Sequence, residues 1–127
     1  MNSYSEWLKR ARSSLELAKS SDNELVYYED LCFQIQQAVE KGLKGLLIFY
    51  GVVPEKTHHL SVLLQELKKY TEINNEIIEV LKLNNFAIQT RYPGEYAEIG
   101  KEEYEQYIMI AEKCLAWINE KIKYKTD

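Results

Sequence analysis

Arg91 lies in the stretch Thr90-Arg91-Tyr92-Pro93-Gly94-Glu95-Tyr96, a guanidinium set among phenols around a proline-glycine pair. Tyr92 precedes proline and so favours extended backbone. Pro93-Gly94 fits the central positions of a type II turn, whose second central residue needs a positive φ. A guanidinium held this way binds phosphate bidentately, and flanking rings stack on a base. The same residues also suit a plainer arrangement, with Arg91 on the last carbonyls of a helix and on Glu40 or Glu95 while the tyrosines pack the loop. Both readings stand on these residues alone.

A second cluster sits in FQIQQAVEKGLKGLLIFYG, Phe33 to Gly51. At 100° per residue Gln37, Lys41 and Lys44 share one helix face, with Gln36 and Glu40 beside it. Glu40 and Lys44 are four apart in the favourable order. Gly42 and Gly45 each cost a helix roughly 1 kcal/mol relative to alanine. One reading is a solvated, salt-bridged face with tolerated glycines. The other makes the glycines close-approach points for a second helix, with Glu40 and the amides satisfying polar groups at the crossing. The second accounts for the glycines; the first does not. If the Arg91 loop folds over this helix, or over a dimer mate, Arg91, Tyr92, Tyr96, Lys41 and Lys44 form a phosphate-and-base site.

Other chemistry is thin. His58 and His59 are adjacent and diverge from one backbone, a poor metal pair, and the HExxH and ExxH spacings are absent. One of the two is expected to cap the third helix or to bridge to a neighbouring one. Cys32 and Cys114 lie far apart without a CxxC partner, so they read as reduced, buried thiols rather than zinc ligands, which points to the cytoplasm. There is no P-loop, GxGxxG or nucleophile elbow. No metal or cofactor is implied.

The elements that must position these residues are helical. The 127 residues suit one domain spanning 1–127, with two prolines, five glycines and a net charge of −4 from 16 basic and 20 acidic residues. The signs are interspersed, which argues against a broad polyanion-binding stripe. Tyr4, Trp7, Leu8, Ala11, Leu15 and Ala18 predict a first helix starting almost at the terminus. A second runs from about Leu25 to Tyr50 and ends at Gly51 and Pro54. Thr57 caps a third that carries Leu60, Leu63, Leu64 and Leu67. A fourth holds Ile77, Ile78, Leu81, Leu83 and Ile88. The last begins near Gly100 with the stripe Tyr104, Tyr107, Ile108, Ala111, Leu115, Ile118 and Ile122. The expected architecture is all-α, an up-and-down antiparallel bundle of about five helices. No apolar stretch reaches the roughly 20 residues of a membrane helix, and the first residues lack the apolar core of a secretion signal.

Taken in order, CFQIQQAVEKGLKGLLIFYG, PEKTHHL, RYP and the opening WLKRARSSLELA resemble the HEPN family, the higher eukaryote and prokaryote nucleotide-binding domain. The resemblance spans nearly the whole chain. It implies a helical bundle, usually dimeric, often paired with a nucleotidyltransferase of the MNT type in a toxin–antitoxin-like module. Gln36, Gln37, Glu40, Gly42, Gly45, Thr57, His58 and Pro93 then match the family's structural signature. Many HEPN proteins are metal-independent ribonucleases with an Arg-x4–6-His motif. Arg91 matches its arginine, but Tyr96, Ala97 and Glu98 fill the places for histidine. Ser14 is a further departure, where relatives often carry an acidic residue. The expectation is a nucleotide- or RNA-binding partner of a nucleotidyltransferase without ribonuclease activity of its own. The alternatives are an active ribonuclease using Arg91 with Tyr96 or a histidine from elsewhere, a protein whose tyrosine the partner adenylylates, and a purely structural assembly module.

Overall fold

The computed structural model describes residues 3–20, 23–86 and 98–126. Helix α1 spans Tyr4–Ala18 and opens on Ser3, whose Oγ accepts from the Glu6 amide at 3.2 Å. Serine followed three residues later by glutamate is the sequence pattern of a helix start. Helix α2, Tyr28–Phe49, begins later than the expected Leu25. Asn23 Oδ1 accepts from the Leu25 amide at 2.9 Å, an Asx turn that competes with helix, and Leu25 is left 88 % exposed. The far end of α2 behaves as read. Gly51 takes φ +85°, its amide donates to Ile48 O, and the Val52 amide donates to Leu47 O. That pair of bonds is a Schellman stop, which glycine allows without a Cβ penalty.

Helix α3 is Leu60–Leu67. Thr57 does not cap it, contrary to expectation: its Oγ1 accepts from His59, and the first α3 amide, Leu60, donates to Asn84 Oδ1 at 3.0 Å. The fourth segment also departs from the sequence reading. It is one short turn, α4 (Asn75–Ile78), capped by Asn74 on the Ile77 amide, followed by a 3-10 helix, Glu79–Phe86. Its buried residues are Ile77, Val80 and Leu83, while Leu81 is 36 % exposed. That spacing of three is the period of a 3-10 helix, so Val80 takes the place given to Leu81. Ile88 lies outside the described residues. Helix α5, Lys101–Thr126, begins just after Gly100.

The chain is an all-α bundle, and among the described residues no strand occurs. Helix α2 is its centre, packed against α1, α3, α5 and the 3-10 segment. The core lies along it, from Leu31 and Ile35 to Leu46 and Leu47, and meets Ala11 and Leu15 of α1 and Ala111, Leu115 and Ile118 of α5. Tyr104 Oη donates to Ala18 O at 2.6 Å, joining the start of α5 to the end of α1. Both cysteines are buried free thiols, as read. No helix among the described residues is long and apolar enough to cross a membrane.

Candidate functional site

Gly42 and Gly45 set how closely α2 approaches its neighbours. A Cβ on Gly42 would stand 2.6 Å from Leu115 Cδ2 and 3.0 Å from Ile118 Cδ1 of α5. On Gly45 it would stand 3.1 Å from Trp7 Cβ and 3.4 Å from the Tyr4 carbonyl of α1. The glycines are therefore crossing points, and the polar residues between them belong to a largely closed face. Glu40 and Lys44 are buried, with side chains 5 % and 10 % exposed. The solvated, salt-bridged face is ruled out.

Glu40 organises that face. Its Oε2 accepts from Lys44 Nζ at 2.9 Å, and its Oε1 from His58 Nδ1 at 3.0 Å and Gln36 Nε2 at 3.3 Å. Gln36, fully buried, spends its other amide hydrogen on His58 O at 3.1 Å and accepts from Gln37 Nε2 at 2.9 Å. Burial pushes the Glu40 carboxyl up, but Lys44, His58 and Gln36 outweigh it and hold the group below the usual carboxylate range. An ionised carboxylate only accepts, so His58 carries its proton on Nδ1 and turns Nε2 away from Glu40. The imidazole itself is 67 % exposed. His58 is thus the histidine that bridges to a neighbouring helix, while His59 takes the N-cap position of α3 without a side-chain cap bond.

The lysines separate. Lys44, expected beside a ligand, is instead committed to Glu40 and lies 5.8 Å from the centroid of the Trp7 ring. The reason is geometric: one helical turn puts its ammonium on the buried carboxylate, which could not stay charged alone. Lys41 is only half-buried and donates to Ser14 Oγ of α1 at 2.9 Å. Burial, then the nearby Arg10 charge, lowers its pKa against a smaller opposing pull from Glu40. Reading from sequence missed Ser14 as a partner. The available signal was its place in the apolar stripe of α1, between Ala11 and Ala18, where a polar residue needs a reason.

Arg91, Tyr92, Pro93 and Tyr96 lie outside the described residues. The chain on either side is anchored: Asn84 caps α3, and the Ile99 amide donates to Glu29 Oε1 in the first turn of α2 at 2.8 Å.

The family model for the HEPN domain matches residues 4–122. The chain belongs to the HEPN family. The match runs from the first residue of α1 to within the last turns of α5, and so includes the whole Glu40 network. Two solved structures share the fold. The crystal structure of TT1696 from Thermus thermophilus superposes with a TM-score of 0.81 at 34 % identity, covering 95 % of this chain and 99 % of that one. That of ST0689, an archaeal HEPN homologue, gives 0.74 at 29 % identity, covering 96 % and 99 %. The "Putative toxin MJ1304" of Methanocaldococcus jannaschii is 28 % identical over 135 aligned positions, which cover 94 % of this HEPN chain and 88 % of the relative.

Proposed function

We propose that this HEPN protein binds a nucleotide or RNA and works in a toxin–antitoxin-type pair with an MNT-type nucleotidyltransferase, without cleaving RNA itself. The observation that carries the proposal is the family match over residues 4–122. The toxin designation of the Methanocaldococcus jannaschii relative supports the toxin–antitoxin setting. In this reading Arg91 grips a phosphate, Tyr92 and Tyr96 stack on a base, and Lys41 adds a second cation. Lys44 holds the Glu40 network instead of touching ligand. The protein acts as a homodimer in the cytoplasm.

The residues at the Arg-x4–6-His positions support the absence of cleavage. A metal-independent ribonuclease needs a group that takes a proton from a 2′-hydroxyl and one that returns a proton to the leaving oxygen. Arginine stays charged near neutrality and serves neither task. Tyr96, with an unperturbed pKa near 10, is a poor base. Titrating ATP and a short RNA against wild type and Arg91→Ala tests the binding site. Saturable binding that weakens in the variant is expected, and equal binding by both proteins removes Arg91. Co-purification with an MNT-type nucleotidyltransferase tests the partnership, and failure to co-purify sinks it.

A second reading, an active ribonuclease, has one observation in its favour. His58, with Nδ1 fixed by a buried carboxylate and its ring exposed, has the geometry of an oriented general base. Metal-free RNA cleavage that His58→Ala abolishes would establish that reading and remove the first.

A further inference from the structure

Lys41 differs from Lys44 and Lys19, two lysines whose contacts are with carboxylates. Lys44 is neutralised by Glu40, and Lys19, at the C-cap of α1, by Glu112 of α5. Lys41 is drawn against α1 by a neutral partner, the Ser14 hydroxyl at 2.9 Å. Among the described residues no carboxylate comes within 4 Å of its ammonium. Nearby Glu40 has both oxygens engaged, by Lys44 on one side and by His58 and the amides on the other. Arg10 lies one turn before Ser14 on α1 and so shares its face. Its guanidinium is exposed, with Nε donating to Glu6 at 3.2 Å.

The half-buried Lys41 ammonium has lost hydration and has a hydroxyl as its partner, and the nearby Arg10 charge adds repulsion. A neutral side chain at 41 could span α1 and α2 without that cost. An anion placed between the two charges would remove the repulsion and restore the lost solvation. A phosphate fits the donor set, because the lysine acts as a point charge, the guanidinium can bond bidentately, and the serine hydroxyl can turn to donate.

We propose that Lys41, Ser14 and Arg10 form a phosphate-binding site across the α1–α2 face, taking a phosphate of the nucleotide or RNA. The proposal rests on the nucleotide- or RNA-binding reading for the identity of the ligand, but not for the existence of the anion site. It replaces Lys44 with two α1 residues as the partners of Lys41. It also sets the site apart from the Glu40 network, which stays closed when ligand binds.

The test uses the intact chain and three probes: inorganic phosphate, ATP and a short RNA. The side-chain signal of Lys41 is followed by NMR, and affinity by calorimetry. Phosphate should move the Lys41 signal and raise its titration point, because a nearby anion favours the charged ammonium against the burial and the Arg10 charge that depress it. Lys41→Gln and Ser14→Asp should each weaken ATP and RNA by about tenfold or more, the scale of a lost charge-assisted contact. Ser14→Asp is the informative variant, since it supplies an internal counter-ion and should raise thermal stability while it blocks the site. Arg10→Gln should have a smaller effect in the same direction. If ATP and RNA bind both variants as tightly as wild type, this site is wrong while the nucleotide reading survives. If phosphate moves Lys41 but neither ATP nor RNA binds wild type, the anion site stands and the nucleotide reading falls. If phosphate leaves Lys41 unmoved, the site is refuted.

Discussion

Without the Glu40 carboxylate, the Lys44 ammonium would be left buried with no counter-ion, and His58 Nδ1 and two amide donors would lose their acceptor. Breaking a buried pair by deleting one partner costs about 3–5 kcal/mol, a large share of a total near 5–15 kcal/mol. Glu40→Ala should therefore lower the urea midpoint severely. Lys44→Met should be milder, because the methionine fills the space and Glu40 keeps His58 and Gln36. The pH dependence has a defined sign. The folded-state pKa of Glu40 is lowered from 4.5, so its contribution is complete above that value and fades as pH falls through the folded pKa. The stability gap between wild type and Glu40→Gln should narrow below about pH 4.5, as chemical denaturation across pH would show. At this scale the sequence singled out the polar residues of α2 but not their partners. His58 and Ser14 lie 18 and 27 residues from the side chains they meet, and helical periodicity says nothing about such distances.

Helix crossings are where the glycines act. Gly42→Ala gains about 1 kcal/mol of helix propensity, yet its Cβ would stand 2.6 Å from Leu115 Cδ2 in a closed core. Overpacking of that kind costs about 1–3 kcal/mol, so the net change should be destabilising, and Gly42→Val should be worse. A stabilised Gly42→Ala in a urea titration would show that the crossing can relax. The two glycines were legible because only a close approach justifies them in so long a helix. The 3-10 segment was not. Its Leu81 and Leu83, read on from Ile77 and Ile78 of α4, suit an α-helix as well, and the choice between periods of 3.0 and 3.6 is made by packing against α2 and α5. The two registers predict different mutational maps. Val80→Ala, fully buried, should cost about 2 kcal/mol, and Leu81→Ala no more than about 0.5 kcal/mol. Reversed costs would favour the α register.

Across the whole molecule, burial makes the two thiols inert. Burial pushes Cys114 up to about 12, and burial with Glu29 and Glu103 nearby does the same for Cys32. Neither should react with a disulfide reagent at pH 8 faster than the fold opens, so labelling should follow the unfolding rate. Rapid labelling of the native protein would mean a looser core than the bundle allows. Fold and family were readable at this scale because amphipathic stripes and the ordered segments around Gln36, His58 and Arg91 extend over nearly the full length. Chemistry was readable only as a missing histidine. The HEPN protein is proposed to bind a nucleotide or RNA and to leave RNA intact, and one assay addresses both halves for RNA. Purified protein is incubated with labelled RNA in the presence of a metal chelator, and the mixture is run on native and denaturing gels. The account predicts a retarded RNA of unchanged length. RNA cut to shorter products, with His58→Ala or Arg91→Ala restoring full length, would contradict it.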